Sequence, residues 1–149
     1  MKEENKKRLA AIAQKQESIN SRILESKKQK EEFRANNLLI AKDFFQKNQN
    51  DINALVEEFK SISGFPTVFE MDINSCQIRF KIGLTFQLFI SLNEHRGIYQ
   101  LVHMLPKRFN ETAKLTKSEE ILIKDFDLDK FEAYCTEFIE EYHKTQHPS

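Results

Sequence analysis

The sequence contains few of the residues that interrupt helices, and few cysteines. It has three glycines and three prolines, and none of these six residues precedes Gly64. Since proline removes a helix hydrogen bond and glycine weakens a helix, nothing in residues 1–63 obliges a helix to break. The two cysteines, Cys76 and Cys135, lie in unrelated contexts. This usage favours a reducing compartment over a secreted disulfide scaffold.

Long apolar runs and common catalytic motifs are also missing. No stretch approaches the ~18 consecutive apolar residues of a membrane span, and the N-terminus has no signal-peptide pattern. The sequence has no glycine-rich phosphate loop, no C-x-x-C and no H-E-x-x-H. His143 and His147 have the spacing of two metal ligands on a helix, but no third ligand is placed with them. We therefore expect a protein that is not an enzyme and has no metal or cofactor.

A heptad pattern occupies the first third of the chain. Starting at Leu9, residues at alternating spacings of three and four define a coiled-coil seam. Its apolar members are Leu9, Ile12, Ile19, Ile23, Phe33, Ile40 and Phe44. Its polar members are Gln16, Ser26, Lys30 and Asn37. Because polar residues in a seam weaken self-pairing and specify a partner, we expect a hetero-oligomer with another protein chain. A lone amphipathic helix is the alternative.

The heptad frame slips by one residue between Phe44 and Phe45. The slip divides an outer seam from residues 45–62, which are expected to pack on the globular part of the chain. Gly64 and Pro66 are stop signals for the helix. The predicted organisation is a helical region over 1–62, a small domain over 64–144 and a tail over 145–149. The pattern leaves open whether 1–62 forms one rod or a helical hairpin.

From Thr67 the apolar period becomes that of a strand. Alternation over 67–73, 76–82 and 84–92, followed by an apolar run over 98–105, predicts an antiparallel meander of three or four strands. Residues 107–125 have a charged, irregular composition. A last helix from Leu128, capped by Asp125 or Asp127, should cover the apolar face of the sheet. The predicted class is therefore α+β, with a long N-terminal coiled-coil helix, a small antiparallel β-meander and a covering C-terminal helix.

Two aromatic residues fall outside the apolar pattern. Phe89 lies on the polar face of its strand and Phe109 in the charged segment, so both are candidates for a docking patch on the globular domain. Packing beneath the long helix is the alternative for both.

Charge is unevenly distributed along the chain. Residues 1–30 carry nine basic and four acidic residues, whereas residues 111–142 carry ten acidic and four basic residues. Such segments can serve different partners. The basic segment lacks the interleaved aromatics and dense arginines of a nucleic-acid-binding helix, so direct nucleic-acid contact is not expected.

The layout resembles the coiled-coil/RWD subunits of kinetochores, in particular the small Spc-type subunits of the Ndc-eighty complex. The resemblance is carried by the paired strands of Gln77–Leu92, the strand of Tyr99–Pro106 and the closing helix of Leu128–Ile139. The Y-P-x-x-x-P signature of many RWD domains is not present. The resemblance implies a non-catalytic heterodimer at the kinetochore in the nucleus, with a rod that joins a microtubule-binding partner and a globular end that docks on an inner-kinetochore receptor.

Two other functions are compatible with the pattern. A nucleic-acid-binding dimer would use the basic N-terminal segment, and a prefoldin-like chaperone subunit would use two helices around β-hairpins. The cytoplasm is the alternative location to the nucleus. Neither alternative involves a membrane.

Overall fold

The computed structural model describes residues 1–64, 66–83, 86–105 and 114–146. The chain forms a long helix, an antiparallel sheet and a closing helix, which confirms the predicted α+β class and layout. The elements are α1 (Glu3–Ser63), β1 (Thr67–Asp72), β2 (Gln77–Ile82), β3 (Phe86–Asn93), β4 (Ile98–Leu105), β5 (Lys114–Leu122), a 3-10 turn (Ile123–Asp125) and α2 (Leu128–Gln146).

Helix α1 is one uninterrupted rod and not a helical hairpin. At a rise of about 1.5 Å per residue, it is about 90 Å long. The helix ends where Gly64 adopts a φ of 66° and donates its backbone N–H to the carbonyl of Lys60. A glycine at this position ends the helix because any residue with a Cβ would be strained in the left-handed conformation.

The sheet has five strands in the order β1-β2-β3-β4-β5, and every neighbouring pair is antiparallel. The expectation of three or four strands was therefore wrong. The additional strand, β5, lies within 107–125, where the charged composition predicted irregular structure. Strand β5 lies at the edge of the sheet, where charged residues such as Glu120 are tolerated because one side of the strand faces solvent.

Both helices cover the same face of the sheet and share one core with it. The ring centroids of Phe45 and Tyr99 are 6.1 Å apart, and those of Phe80 and Phe138 are 5.8 Å apart. Asp127 begins α2 by accepting a hydrogen bond from the backbone N–H of Lys130 at 2.8 Å. Among the described residues, the buried apolar side chains of the helices are Ala41, Phe45, Ile52, Val56, Phe131, Cys135 and Phe138.

Candidate partner-binding surfaces

Helix α1 divides into an exposed half and an embedded half. Every residue from Met1 to Phe33 is exposed, whereas buried residues recur along the helix from Asn37 to Val56. We call residues 3–33 the arm, and we call residues 34–146 the head. The arm extends for about 45 Å. The head contains the last half of α1 together with the sheet and α2.

The arm presents most of the predicted seam to solvent. Leu9, Ile12, Ile19 and Ile23 are 53%, 62%, 47% and 49% exposed. Within the described residues, no other element packs on these four side chains. A row of apolar side chains along a solvated helix is typical of a coiled-coil strand that lacks its partner.

The last seam residues belong to the head and not to the arm, and their surroundings differ. The ring of Phe44 lies 5.4 Å from that of Phe126, centroid to centroid, and Phe44 is half-buried there. Ile40 is 47% exposed and remains open to a partner at the side of the head. Asn37, which the heptad assigned to a partner, donates from Nδ2 to the carbonyl of Glu94 at 3.0 Å. The head therefore satisfies this polar seam position within the same chain.

A clamp of four residues holds the root of the arm against the β3–β4 hairpin: Arg34, Asn37, Glu94 and Gly97. Arg34 donates from Nη1 to Glu94 at 2.8 Å and also pairs with Glu31. The hydrogen bond from Arg34 lowers the pKa of the Glu31 carboxyl. Gly97 allows the close approach, since a Cβ there would lie 3.1 Å from Nδ2 of Asn37 and 3.3 Å from Cζ of Phe33. The clamp fixes the direction in which the arm leaves the head.

Phe89 lies on the sheet face opposite the two helices, so it does not pack beneath α1. It pairs across strands with Arg79 and Val102. The Arg79 guanidinium carbon lies 5.3 Å from the Phe89 ring centroid, within the range of a cation–π contact. Arg79 also lies 3.9 Å from Glu70. The other candidate for the docking patch, Phe109, lies outside the described residues.

The buried cysteines have the properties of structural residues. Burial raises the pKa of Cys76 to about 11, and its thiol donates to the carbonyl of Ile73 at 3.4 Å. Burial also raises the pKa of Cys135. Since the thiolate is the nucleophile, a thiol that stays protonated at neutral pH reacts slowly.

A charged cluster lies where β4 and β5 meet α2. His103 is buried, and desolvation lowers its pKa. Lys117 pairs with Glu119 at 3.1 Å and with Glu137, and these carboxylates raise the pKa of Lys117. The cluster joins the edge strand to α2.

The described residues were also considered as a metal site and as a membrane span. No group of three or more His, Cys, Asp or Glu residues in those segments could hold a metal ion, and His147 lies outside them. None of the helices described is both long enough and apolar enough to cross a bilayer.

Comparisons with protein-family models, with curated proteins and with solved structures gave no match for this chain. The geometry of the arm and of the head is therefore the basis for assigning function. Sequence reasoning missed the clamp, because Asn37 and Glu94 are far apart in the chain. The only signals were a polar residue in the seam, Asn37, and a glycine between two predicted strands, Gly97.

Proposed function

We propose that this chain is a non-enzymatic structural subunit of a multi-protein assembly. Its arm pairs with a different protein chain, and its head docks on a further component. The observation that carries the proposal is the contrast within α1, where one half is embedded in the core and the other half exposes an apolar seam. A helix without packing is marginal in water, so the arm gains most of its stability from a partner.

The polar seam residues and the basic charge of the arm indicate whether it pairs with a second copy of itself or with a different chain. Gln16, Ser26 and Lys30 interrupt the apolar seam, and the basic residues outnumber the acidic ones nine to four over residues 1–30. Two parallel copies would bring like charges together along the pair, whereas an acidic partner helix would complement them. We therefore expect the partner to be a different chain whose helix carries Glu or Asp beside its seam.

The kinetochore is the particular assembly that we propose, with the chain located on chromosomes in the nucleus. The support is the resemblance in layout to coiled-coil/RWD kinetochore subunits. The continuous passage from α1 into a small antiparallel sheet, and the closure of that sheet by α2, are consistent with this layout. In this role the arm joins a rod-forming subunit and the head faces the receptor.

Affinity capture of the full chain from cells, followed by mass spectrometry, tests the proposal. The informative variant is Ile19→Asp/Ile23→Asp, which places two charges in the seam. The matched control is Gln14→Asp/Ser21→Asp, which adds the same charge on the face of the arm farthest from the seam. We expect the seam variant to lose a heptad-containing partner that the control retains. Equal capture by both variants would contradict pairing through the seam.

The second candidate function is that of a nucleic-acid-binding dimer, because the arm is basic and exposed. Its test is the salt dependence of binding to duplex DNA and to RNA. Nucleic-acid binding should weaken steeply between low and moderate salt because neutralised phosphates release counterions. A prefoldin-like subunit needs a second long helix, and α2 has 19 residues where α1 has 61. This difference disfavours the chaperone hypothesis.

A further inference from the structure

A groove opens to solvent between the last turns of α1 and the middle of α2. Its volume is about 280 Å³, and its apolar lining comes from Leu55, Phe59 and Ile62 of α1 and from Ile139 of α2. Leu55, Phe59 and Ile139 also pack against the core, which holds the floor of the groove in place. Ile62 lies at the rim and is 77% exposed.

The rim of the groove is acidic. It is formed by the side chains of Glu58 from α1 and of Glu132 and Glu140 from α2. Within the described segments these three carboxylates form no ion pair. The cations of Lys60 and Lys144 pair instead with Glu57 and Glu141.

The acidic surface continues along α2 beyond the rim. A shallow depression beside the groove adds Asp129 and Glu137 to Glu132 and Glu140. Glu137 is already paired with Lys117. The surface thus combines an apolar floor with negative charge that the described chain leaves largely unbalanced.

We propose that this groove binds an amphipathic helix of another protein, with leucine-like residues on its apolar face and lysine or arginine beside them. The apolar residues would enter between Phe59 and Ile139, and the basic residues would meet Glu58, Glu132 and Glu140. A helix suits the site because both walls are helices and all the lining residues belong to α1 or α2. The inference rests on the proposed docking role of the head and names the surface and the chemistry of its partner.

The arm of the same molecule cannot fill this groove. It leaves the head at Arg34, about 30 Å along a straight helix from Leu55. A second copy of the chain could reach the groove in trans, so the experiment includes the arm as a probe.

The test is fluorescence anisotropy with the full chain and a labelled synthetic helical peptide of leucine and lysine. A peptide with the same leucines and with glutamate in place of lysine is the comparator. We expect the lysine peptide to bind and the glutamate peptide not to bind. The variant Glu58→Gln/Glu132→Gln/Glu140→Gln should weaken binding about tenfold, because three exposed ion pairs are lost.

A matched triple variant distinguishes peptide binding at the groove from a general attraction between the basic peptide and the acidic residues of the protein. Glu17→Gln/Glu25→Gln/Glu32→Gln changes the net charge equally, but on the arm, and should leave the affinity for the peptide unchanged. Equal weakening in both triple variants would overturn the proposal. Stronger binding of a peptide of residues 1–30 than of the lysine peptide, with the same dependence on the rim glutamates, would overturn it in favour of a second copy.

A second matched pair of variants tests the apolar part of the groove. Ile62→Ser and Leu39→Ser each remove an exposed apolar side chain from α1, and these side chains are 77% and 67% exposed. Only Ile62→Ser should weaken peptide binding, since Leu39 lies away from the groove. Equal affinity for the two variants would contradict apolar contact between the peptide and the rim at Ile62, and thermal unfolding would verify that both variants fold.

The peptide assay and the cell-capture assay can fail independently. The seam variant Ile19→Asp/Ile23→Asp should bind the lysine peptide like the unaltered chain, because the groove lies on the head. Loss of a captured component in the rim variant, with the arm partner retained, supports docking through the groove. Peptide binding through the rim without any such loss would support the groove chemistry and contradict the docking role in the assembly.

Discussion

The two halves of α1 have similar periodicity and opposite surroundings. In the head half, Phe45, Ile52 and Val56 are buried beneath the sheet and α2. In the arm, Ile19 and Ile23 repeat at the same spacing and remain about half exposed. The difference teaches that a heptad pattern identifies the face of a helix that will be buried, but not the chain that will bury it.

The largest contrast should appear when one apolar residue is truncated in each half. Phe45→Ala removes a fully buried ring and should lower the free energy of unfolding by about 3–5 kcal/mol. Ile19→Ala should change it by less than about 0.5 kcal/mol in the isolated chain, because the side chain has no packing to lose. Urea denaturation of the full chain measures the change in the free energy of unfolding for both variants. Similar changes in the two variants would contradict the distinction between arm and head.

A smaller loss of stability should distinguish the steric contact at Gly97, at the root of the arm, from the backbone strain that any positive-φ glycine position imposes on alanine. Gly97 and Gly83 both have a φ of 67°, but only a Cβ at Gly97 would meet Asn37 and Phe33. Gly83→Ala should cost about 1 kcal/mol from strain alone, and Gly97→Ala should cost more by about 1 kcal/mol. Thermal unfolding of the two variants provides the comparison. Equal losses would mean that the hairpin does not press on α1.

The smallest effect expected is an acid sensitivity confined to the head. Burial lowers the pKa of His103, with Lys117 acting in the same direction and Glu137 and Glu119 opposing it. A histidine whose folded pKa lies below its unfolded value, about 6.5, stabilises the fold above that pH and loses this contribution as the pH falls. Unfolding followed between pH 8 and pH 5 should show this loss.

Two variants isolate the role of the buried histidine. His103→Phe should reduce the acid sensitivity, whereas replacing the exposed His95 with glutamine should leave it unchanged. The arm contains no histidine, so its helicity should not follow the same curve. An identical pH profile in the unaltered chain and in His103→Phe would contradict the assignment.

Local patterns in the sequence accounted for much of the fold. The apolar run over 98–105 predicted β4 with its observed bounds, and Gly64 ends α1 as its position predicted. Strand β5 was missed because an edge strand can carry charged residues that hide the alternation. The packing of both helices on the sheet was predicted, but the specific contact between Asn37 and Glu94 was not, since it forms only after the hairpin folds onto α1.

The two candidate surfaces also differ in whether they are formed by residues close together in the sequence. The exposed seam from Leu9 to Ile23 is local in sequence, and its spacing predicted which residues share a face. The acidic groove was not predictable, because it joins Phe59 to Ile139 across the whole sheet domain. The function of either surface depends on a second molecule, whose chemistry a single chain indicates only through its own charge and apolar area.

Hydrogen–deuterium exchange of the full chain, alone and with the co-expressed arm partner, tests the central claim most directly. In the isolated chain we expect fast exchange over residues 3–33 and slow exchange over 37–60, because only the second segment is packed. The isolated chain should also aggregate readily, and the partner should slow exchange in the arm and suppress aggregation. A stable isolated monomer with equal protection in the two segments would contradict the account.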